Sequence, residues 1–264
     1  MDPSIHRYCF DSAESSRWPL PKPPGSIALI GAMRLLVAMR SALAILDVQS
    51  GTLQSTPWQG PQLAEDRFND GVTDRQGNFW VGTMDRRLER PIGRLFRFDS
   101  NLNAVTTGVG TRLSNGLCFS PAGDRMYVSK TFEREILAYD VDPASGALSD
   151  GRRIVAFDDT PGRPDGCTVA ADGSLWSARV GGHRVDHYDA DGGLLDVLPL
   201  PTSQPTHCMF GGDDMKTLFV TTSRHGEEFK SGADVDAGHV LGYRLEHAGL
   251  PPAGFAFSGT SRID

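Results

Sequence analysis

The feature that most constrains this chain is a repeat. Short segments with a turn-like start and an apolar finish recur along it: Gly31 to Val37, Asp74 to Val81, Ser120 to Val128, Ala171 to Trp176 and Gly211 to Val220. Aligning Leu36, Trp80, Tyr127, Trp176 and Phe219 gives steps of 44, 47, 49 and 43 residues, the period of a propeller blade. In each unit a further run ends in an aromatic or aliphatic residue before Asp, as at Leu46-Asp47, Phe98-Asp99, Tyr139-Asp140 and Tyr188-Asp189. Each unit therefore reads as a small antiparallel sheet. Such a sheet cannot bury both faces alone, so neighbouring sheets must stack around an axis.

The pattern predicts an all-β propeller built as a single domain over residues 1–264. No Pro/Ser/Gly linker breaks the spacing, and Pro19 to Pro24 falls where an inter-blade connection belongs. Five inner hairpins are visible, preceded only by the strand-like Ile5-His6-Arg7-Tyr8. The expectation is a six-bladed β-propeller with an incomplete first blade, its inner strands missing at the N-terminal side.

Composition narrows the partners. Lys plus Arg at 26 against Asp plus Glu at 33 gives a net charge of −7 with no basic run, which argues against nucleic acid. Leu35 to Met39 and Leu43 to Leu46 fall far short of the roughly 18 residues of a membrane span. Met1 to His6 has neither a basic nor an apolar leader region, so a cytoplasmic protein is expected, as a monomer or weak homodimer with no membrane partner. Cys9, Cys118, Cys167 and Cys208 form no CxxC pair and read as core thiols.

The chemistry is expected in short polar motifs just ahead of the innermost strand of successive blades: Arg67-Phe68-Asn69-Asp70-Gly71, Leu113-Ser114-Asn115-Gly116, Pro164-Asp165-Gly166 and Pro205-Thr206-His207. Asn69, Asn115, Asp165 and Thr206 recur at steps of 46, 50 and 41, which would bring them to one mouth of a central channel. A single Asn-Gly or Asp-Gly is a common hairpin turn. Three in register, one of them preceded by Arg67, point instead to a site. Convergent carbonyl and carboxylate oxygens suit one divalent metal ion: Ca, Mg or Mn, or Zn or Fe where coordination is incomplete. A buried Arg beside a channel suits an anionic or polyhydroxylated ligand, because its fork of donors is costly to bury unpaired.

Taken with Gly77 to Met84 and Cys208-Met209-Phe210-Gly211-Gly212, these motifs resemble the SMP-30/gluconolactonase/regucalcin (LRE-like) family from about Ile5 to the C-terminus. The resemblance implies a six-bladed propeller whose axial divalent metal serves hydrolysis of a sugar lactone, a small-molecule substrate. It implies Asn115 and Asp165 as metal ligands, and Arg67 and Asn69 as substrate-contacting residues. Asp165, the only carboxylate among the three in-register positions, is the general-base candidate. The metal would polarise the lactone carbonyl and lower the pKa of a bound water.

The family's third ligand, a Glu in a Gly-Glu-Gly/Ser-Pro motif upstream of the Ile5 position, has no counterpart. Glu14, the only Glu before Glu65, reads as a solvated turn residue. A non-catalytic metal- or ligand-binding propeller is therefore the alternative to the lactonase. A protein-interaction propeller would need an exposed apolar patch, and no apolar run is placed to make one. Arg86-Arg87 after the Gly-Thr-Met motif could read an extra anionic group on the sugar, and Arg87 is included as a substrate-binding candidate.

Elsewhere, no Gly-x-Ser-x-Gly elbow supports serine-hydrolase chemistry. His183 and His187 fall on a strand-like stretch, too far apart there to share a metal. His207 follows Thr206 at a blade entrance, where it could line the channel. His225 and the run Phe229 to Gly238 read as loop.

Overall fold

The structure is a computed structural model and describes residues 2–59, 65–142, 144–224, 234 and 236–258. It is all antiparallel β among these residues, with 21 strands in six sheets. Two compact units are present: Met1–Leu113 with Ala253–Asp264, and Ser114–Pro252.

The first unit begins with a two-stranded hairpin, β1 (Ser4–Tyr8) and β2 (Ser15–Pro19). Its turn carries Glu14, exposed as the sequence suggests. Two four-stranded blades follow. The first holds β3 (Pro24–Ile30), β4 (Arg34–Met39), β5 (Ala42–Asp47) and β6 (Leu53–Gln59). The second holds β7 (Asp66–Thr73), β8 (Phe79–Asp85), β9 (Gly93–Phe98) and β10 (Ala104–Thr111). In the second unit, the third blade holds β11 (Ser114–Phe119), β12 (Arg125–Lys130), β13 (Glu135–Asp140) and β14 (Arg152–Ala156). The fourth holds β15 (Arg163–Val169), β16 (Leu175–Val180), β17 (Arg184–Tyr188) and β18 (Leu194–Pro199). The fifth has three strands, β19 (Pro205–Gly211), β20 (Thr217–Thr222) and β21 (Val240–Arg244).

The architecture is that of an all-β propeller, but the six-blade expectation is corrected to five. The sixth sheet is only the β1–β2 pair, which has no inner strands of its own. It covers one face of the first blade: Ile5 and Leu20 pack with Leu35, Val37 and Met39. The alternate residues of β4, Leu36 and Ala38, face the second blade and meet Phe68, Phe79, Phe96 and Phe98. Strand periodicity of two thus explains why Leu35 to Met39 is an unbroken apolar run, since both of its faces are covered. The third and fourth blades share a core of Tyr127, Ile136, Phe157, Cys167 and Tyr188, and the fourth and fifth share one of Trp176, Val185, Phe210 and Leu218.

The recurring Asp after the third strand is turn chemistry. Asp47, Asp99 and Asp189 each accept two main-chain N–H groups of the following turn through Oδ1. Their carboxylates close the outer hairpins in the manner of Asx-turns.

His225 lies outside the described residues, as do residues 229–233 and 235 of the run Phe229 to Gly238 that the sequence reads as a loop. Among the described residues no helix is long and apolar enough to cross a membrane.

Candidate active site

The innermost strands share an irregularity that the sequence does not announce. Each pairs regularly with its neighbour, then carries one extra residue near its start: Gly25 in β3, a residue within Asn69-Asp70 in β7, within Gly116-Leu117 in β11, within Asp165-Gly166 in β15, and Thr206 in β19. A single-residue bulge bends the strand and re-aims the side chains beside it. The four polar motifs picked out by spacing therefore sit at four of the five bulges, and the fifth is at Gly25.

In each blade the inner strand starts at the edge where the second strand ends, as the pairs Pro24↔Met39, Asp66↔Asp85, Ser114↔Lys130, Arg163↔Val180 and Pro205↔Thr222 show. The loops after the second strands flank the motifs at that edge.

Within the second unit, β11 and β15 bring Asn115 and Asp165 onto adjacent inner strands. Gly116 has φ +55°, and a Cβ added to it would lie 2.6 Å from the Asp165 carbonyl oxygen. Asn115 is buried, and its Nδ2 donates to the Thr131 hydroxyl at 2.9 Å. The amide nitrogen is thereby committed, which makes the carbonyl oxygen the atom a cation would meet. Asp165 is half-buried. On the next inner strand the ring of His207 lies against Gly166, where an added Cβ would come 2.4 Å from Cδ2. Thr206 turns aside to the Thr221 hydroxyl, 2.8 Å away.

Beneath the motifs, the Cys167 thiol donates to the Gly116 carbonyl oxygen at 2.7 Å and touches Cys118, with Sγ atoms 3.1 Å apart. Cys118, Cys167 and Cys208 are buried core thiols, and burial pushes the Cys208 thiol up.

Within the first unit, Arg67 and Asn69 flank the fully buried Phe68, with Asn69 at the bulge itself. The strand is held from the neighbouring blade by main-chain contact, because a Cβ on Gly25 would fall 2.4 Å from the Phe68 carbonyl oxygen. Arg87 lies exposed in the loop after β8. That loop is wound on the buried Asp85, whose Oδ2 accepts the N–H groups of Glu89 and Arg90 and whose Oδ1 accepts the Arg90 guanidinium. Arg90 holds the Asp85 carboxyl far below the usual carboxylate range.

His183 stands in the turn before β17 with φ +56°, while His187 is buried in the strand and stacks on Trp176. The strand-like context suggested by the sequence thus holds for His187, while His183 is corrected to a turn residue.

A donor set for a divalent cation can be tested on these residues. Among the described residues no three His, Cys, Asp or Glu side chains are grouped to hold a metal. Asn115 and Asp165 supply one neutral and one anionic oxygen. Such a pair fits a hard cation that keeps its remaining positions for water and substrate oxygens, as Mg²⁺ commonly does.

An all-β propeller with polar oxygen donors on bulged inner strands defines the class. Within that class, the profile of the SMP-30/gluconolactonase/LRE-like region matches residues 1–224, and the chain belongs to this family. It is 35% identical over 232 residues to the 6-deoxy-6-sulfogluconolactonase of Pseudomonas putida, covering 87% of this chain and 79% of that one. It is 34% identical over 257 residues to the L-arabinolactonase of Azospirillum brasilense, covering 96% and 84%. Among solved structures, the calcium-binding protein regucalcin of Agrobacterium tumefaciens superposes with a TM-score of 0.90 at 25% identity, over 96% of this chain and 86% of that one.

Proposed function

We propose that this protein hydrolyses a sugar lactone to the open-chain sugar acid, with help from a divalent cation. The observation that carries the reading is the placement of Asn115 and Asp165 on adjacent bulged strands, with the Asn115 amide nitrogen tied to Thr131. The similarity to proteins named as sugar lactonases supports the chemistry and favours the enzyme over a non-catalytic binding propeller.

The Asn115 carbonyl oxygen and the Asp165 carboxylate would hold the cation. When bound, such an ion supplies Lewis-acid polarisation of a carbonyl and a lowered pKa for water. The Asp165 carboxylate takes a proton from the attacking water as its oxygen bonds to the lactone carbonyl carbon. The ring C–O bond then breaks, and the proton returns to the departing ring oxygen. The products are one carboxylic acid and one alcohol on the same sugar chain. Arg67, Asn69 and Arg87 remain the candidate donors to substrate oxygens.

The test is a pH-stat assay of a neutral aldonolactone after chelation and re-addition of Mn²⁺, Zn²⁺, Ca²⁺, Mg²⁺ or Fe²⁺. Turnover should return with one of these ions, and Asp165→Ala should lower it by at least about 100-fold. A fully active Asp165→Ala protein removes the assignment.

A further inference from the structure

The side chains that meet beneath the Asn115 and Asp165 motifs in the second unit are two thiols. Cys118 lies on β11 and Cys167 on β15, both buried, 49 residues apart in sequence and with Sγ atoms 3.1 Å apart. That separation is shorter than the roughly 3.5–4.0 Å at which even carbon atoms pack best. The two strands belong to different sheets, so no main-chain ladder joins them. The contact is a side-chain bridge between the third and fourth blades.

The other thiols are placed differently. Cys208 turns its Sγ to the Trp176 carbonyl oxygen at 3.3 Å and to the Gly166 carbonyl oxygen at 4.0 Å, and Cys9 follows β1 in the first unit. Cys167 donates to the Gly116 carbonyl oxygen at 2.7 Å. With its proton turned there, its sulfur presents lone pairs to Cys118, whose own S–H can donate across the pair.

An S–S bond is about 2.05 Å long, so the two sulfurs need to close by only ~1 Å. Burial shuts out bulky and charged reagents, but hydrogen peroxide is uncharged and little larger than water. With it as the oxidant, one sulfur attacks a peroxide oxygen, the O–O bond breaks and water leaves, giving a sulfenic acid. The second sulfur then displaces the hydroxyl group, which leaves as water with that thiol's proton. Two thiols lose two electrons and two protons, and one peroxide becomes two waters. Burial of both thiols slows the reaction, which therefore belongs to sustained exposure to peroxide.

We propose that Cys118 and Cys167 are an oxidative modification site, at which hydrogen peroxide forms a disulfide that staples the third blade to the fourth and lowers the activity of the motifs above it. The staple stands three residues past Asn115 and two past Asp165. Its sulfurs carry no proton, so the Gly116 carbonyl oxygen loses the Cys167 hydrogen bond while β11 and β15 are drawn together. The cross-link is independent of what the protein hydrolyses, whereas its effect on turnover rests on the lactone reading.

Two measurements keep these apart. The native protein is held with hydrogen peroxide, quenched with catalase, denatured, alkylated and mapped by peptide mass spectrometry. Alkylation of Cys118 and Cys167 should be lost together, and a peptide joining them should appear about 2 Da lighter than the sum of its reduced parts. Dithiothreitol should restore both thiols. Full alkylation of the pair in a sample whose Cys9 has been oxidised overturns the site, as does a bond from either member to Cys208. Turnover of a neutral aldonolactone is then followed in the same samples. It should fall with the cross-linked fraction, return with dithiothreitol, and survive peroxide in Cys118→Ala. Unchanged turnover in fully cross-linked protein overturns the coupling to the motifs. A cross-link formed in a protein that hydrolyses no lactone leaves the modification site standing and removes the lactonase.

Discussion

Gly116 and Asp165 touch through their main chains: a Cβ on Gly116 would stand 2.6 Å from the Asp165 carbonyl oxygen and 2.3 Å from Ser129 Oγ. The contact sets how closely β11 and β15 approach, and therefore where Asn115 and Asp165 sit relative to each other. Gly116 also has φ +55°, a conformation that an L side chain adopts only with strain.

Gly116→Ala therefore acts on both stability and function. It should cost ~1–3 kcal/mol in denaturant unfolding from the strained backbone alone. Activity should fall further than stability explains, because the clash pushes the Asp165 strand outward. Gly173→Ala is the control: its φ is +90°, but only Pro121 Cδ lies within 4 Å of the added carbon, at 4.0 Å. Equal activity in the two variants at matched stability would sink the positioning role.

The donor pair makes a second prediction about cation affinity. Asn115→Asp adds a second negative oxygen where one neutral oxygen stands, and the Thr131 hydroxyl can donate to it in place of accepting from Nδ2. Charge count is a main lever on divalent affinity, so the variant should bind Ca²⁺ or Mn²⁺ more tightly, while Asp165→Asn should bind it more weakly. Calorimetric titration of the chelated protein measures both; the same affinity in all three proteins contradicts the assignment of these ligands.

A third prediction concerns the segment leading into the Asp165 strand. Arg179 is 1% exposed, pairs with the buried Asp186 at 2.6 Å, and lies over the Phe157 ring at 4.1 Å. Its Nη2 also donates to the Thr160 hydroxyl and the Pro161 carbonyl oxygen, which fixes the chain just before β15. Asp186→Ala leaves that guanidinium buried and uncompensated, at a cost of about 3–5 kcal/mol in chemical denaturation. Arg179→Met with Asp186→Leu should recover much of this, because an apolar pair of similar volume avoids the desolvation penalty.

How much of this was legible in the sequence depends on which force leaves a local trace. The five inner hairpins were, because a large apolar residue, Leu36, Trp80, Tyr127, Trp176 or Phe219, and the turn ahead of it recur in every second strand. The Asp that ends the third strand was legible too, though its reason, main-chain N–H capture, needs coordinates. Blade count was not, since Ile5 to Tyr8 looks the same whether it joins a full blade or only pairs with Ser15–Pro19. The bulges were hidden because an extra residue is defined by its partner strand, which Asn69-Asp70 or Asp165-Gly166 cannot reveal alone. Spacing found Arg67 and Asn115.

The pH dependence of stability has a specific source at the other end of the fourth blade. His187 is buried, stacks on Trp176 at 4.0 Å and meets His247 at 4.7 Å, and among the described residues its Nε2 has no hydrogen-bond partner. Burial first, and then the charge of His247, hold its pKa below the ordinary value, against opposing pulls from Asp172 and Asp196. Asp172 is raised by its own burial, but hydrogen bonds from Ser174 and His247 outweigh this and bring it down to about 2, so it stays ionised throughout the range considered. A histidine with a depressed folded pKa binds its proton more readily when unfolded. Stability from this group is therefore complete above the unfolded value of about 6.5 and declines as pH falls through and below it. Melting temperature should drop between pH 7 and pH 5 in the native protein, and His187→Phe, which keeps the stack on Trp176 without a titrating nitrogen, should show a shallower drop. Identical slopes would place the acid sensitivity elsewhere.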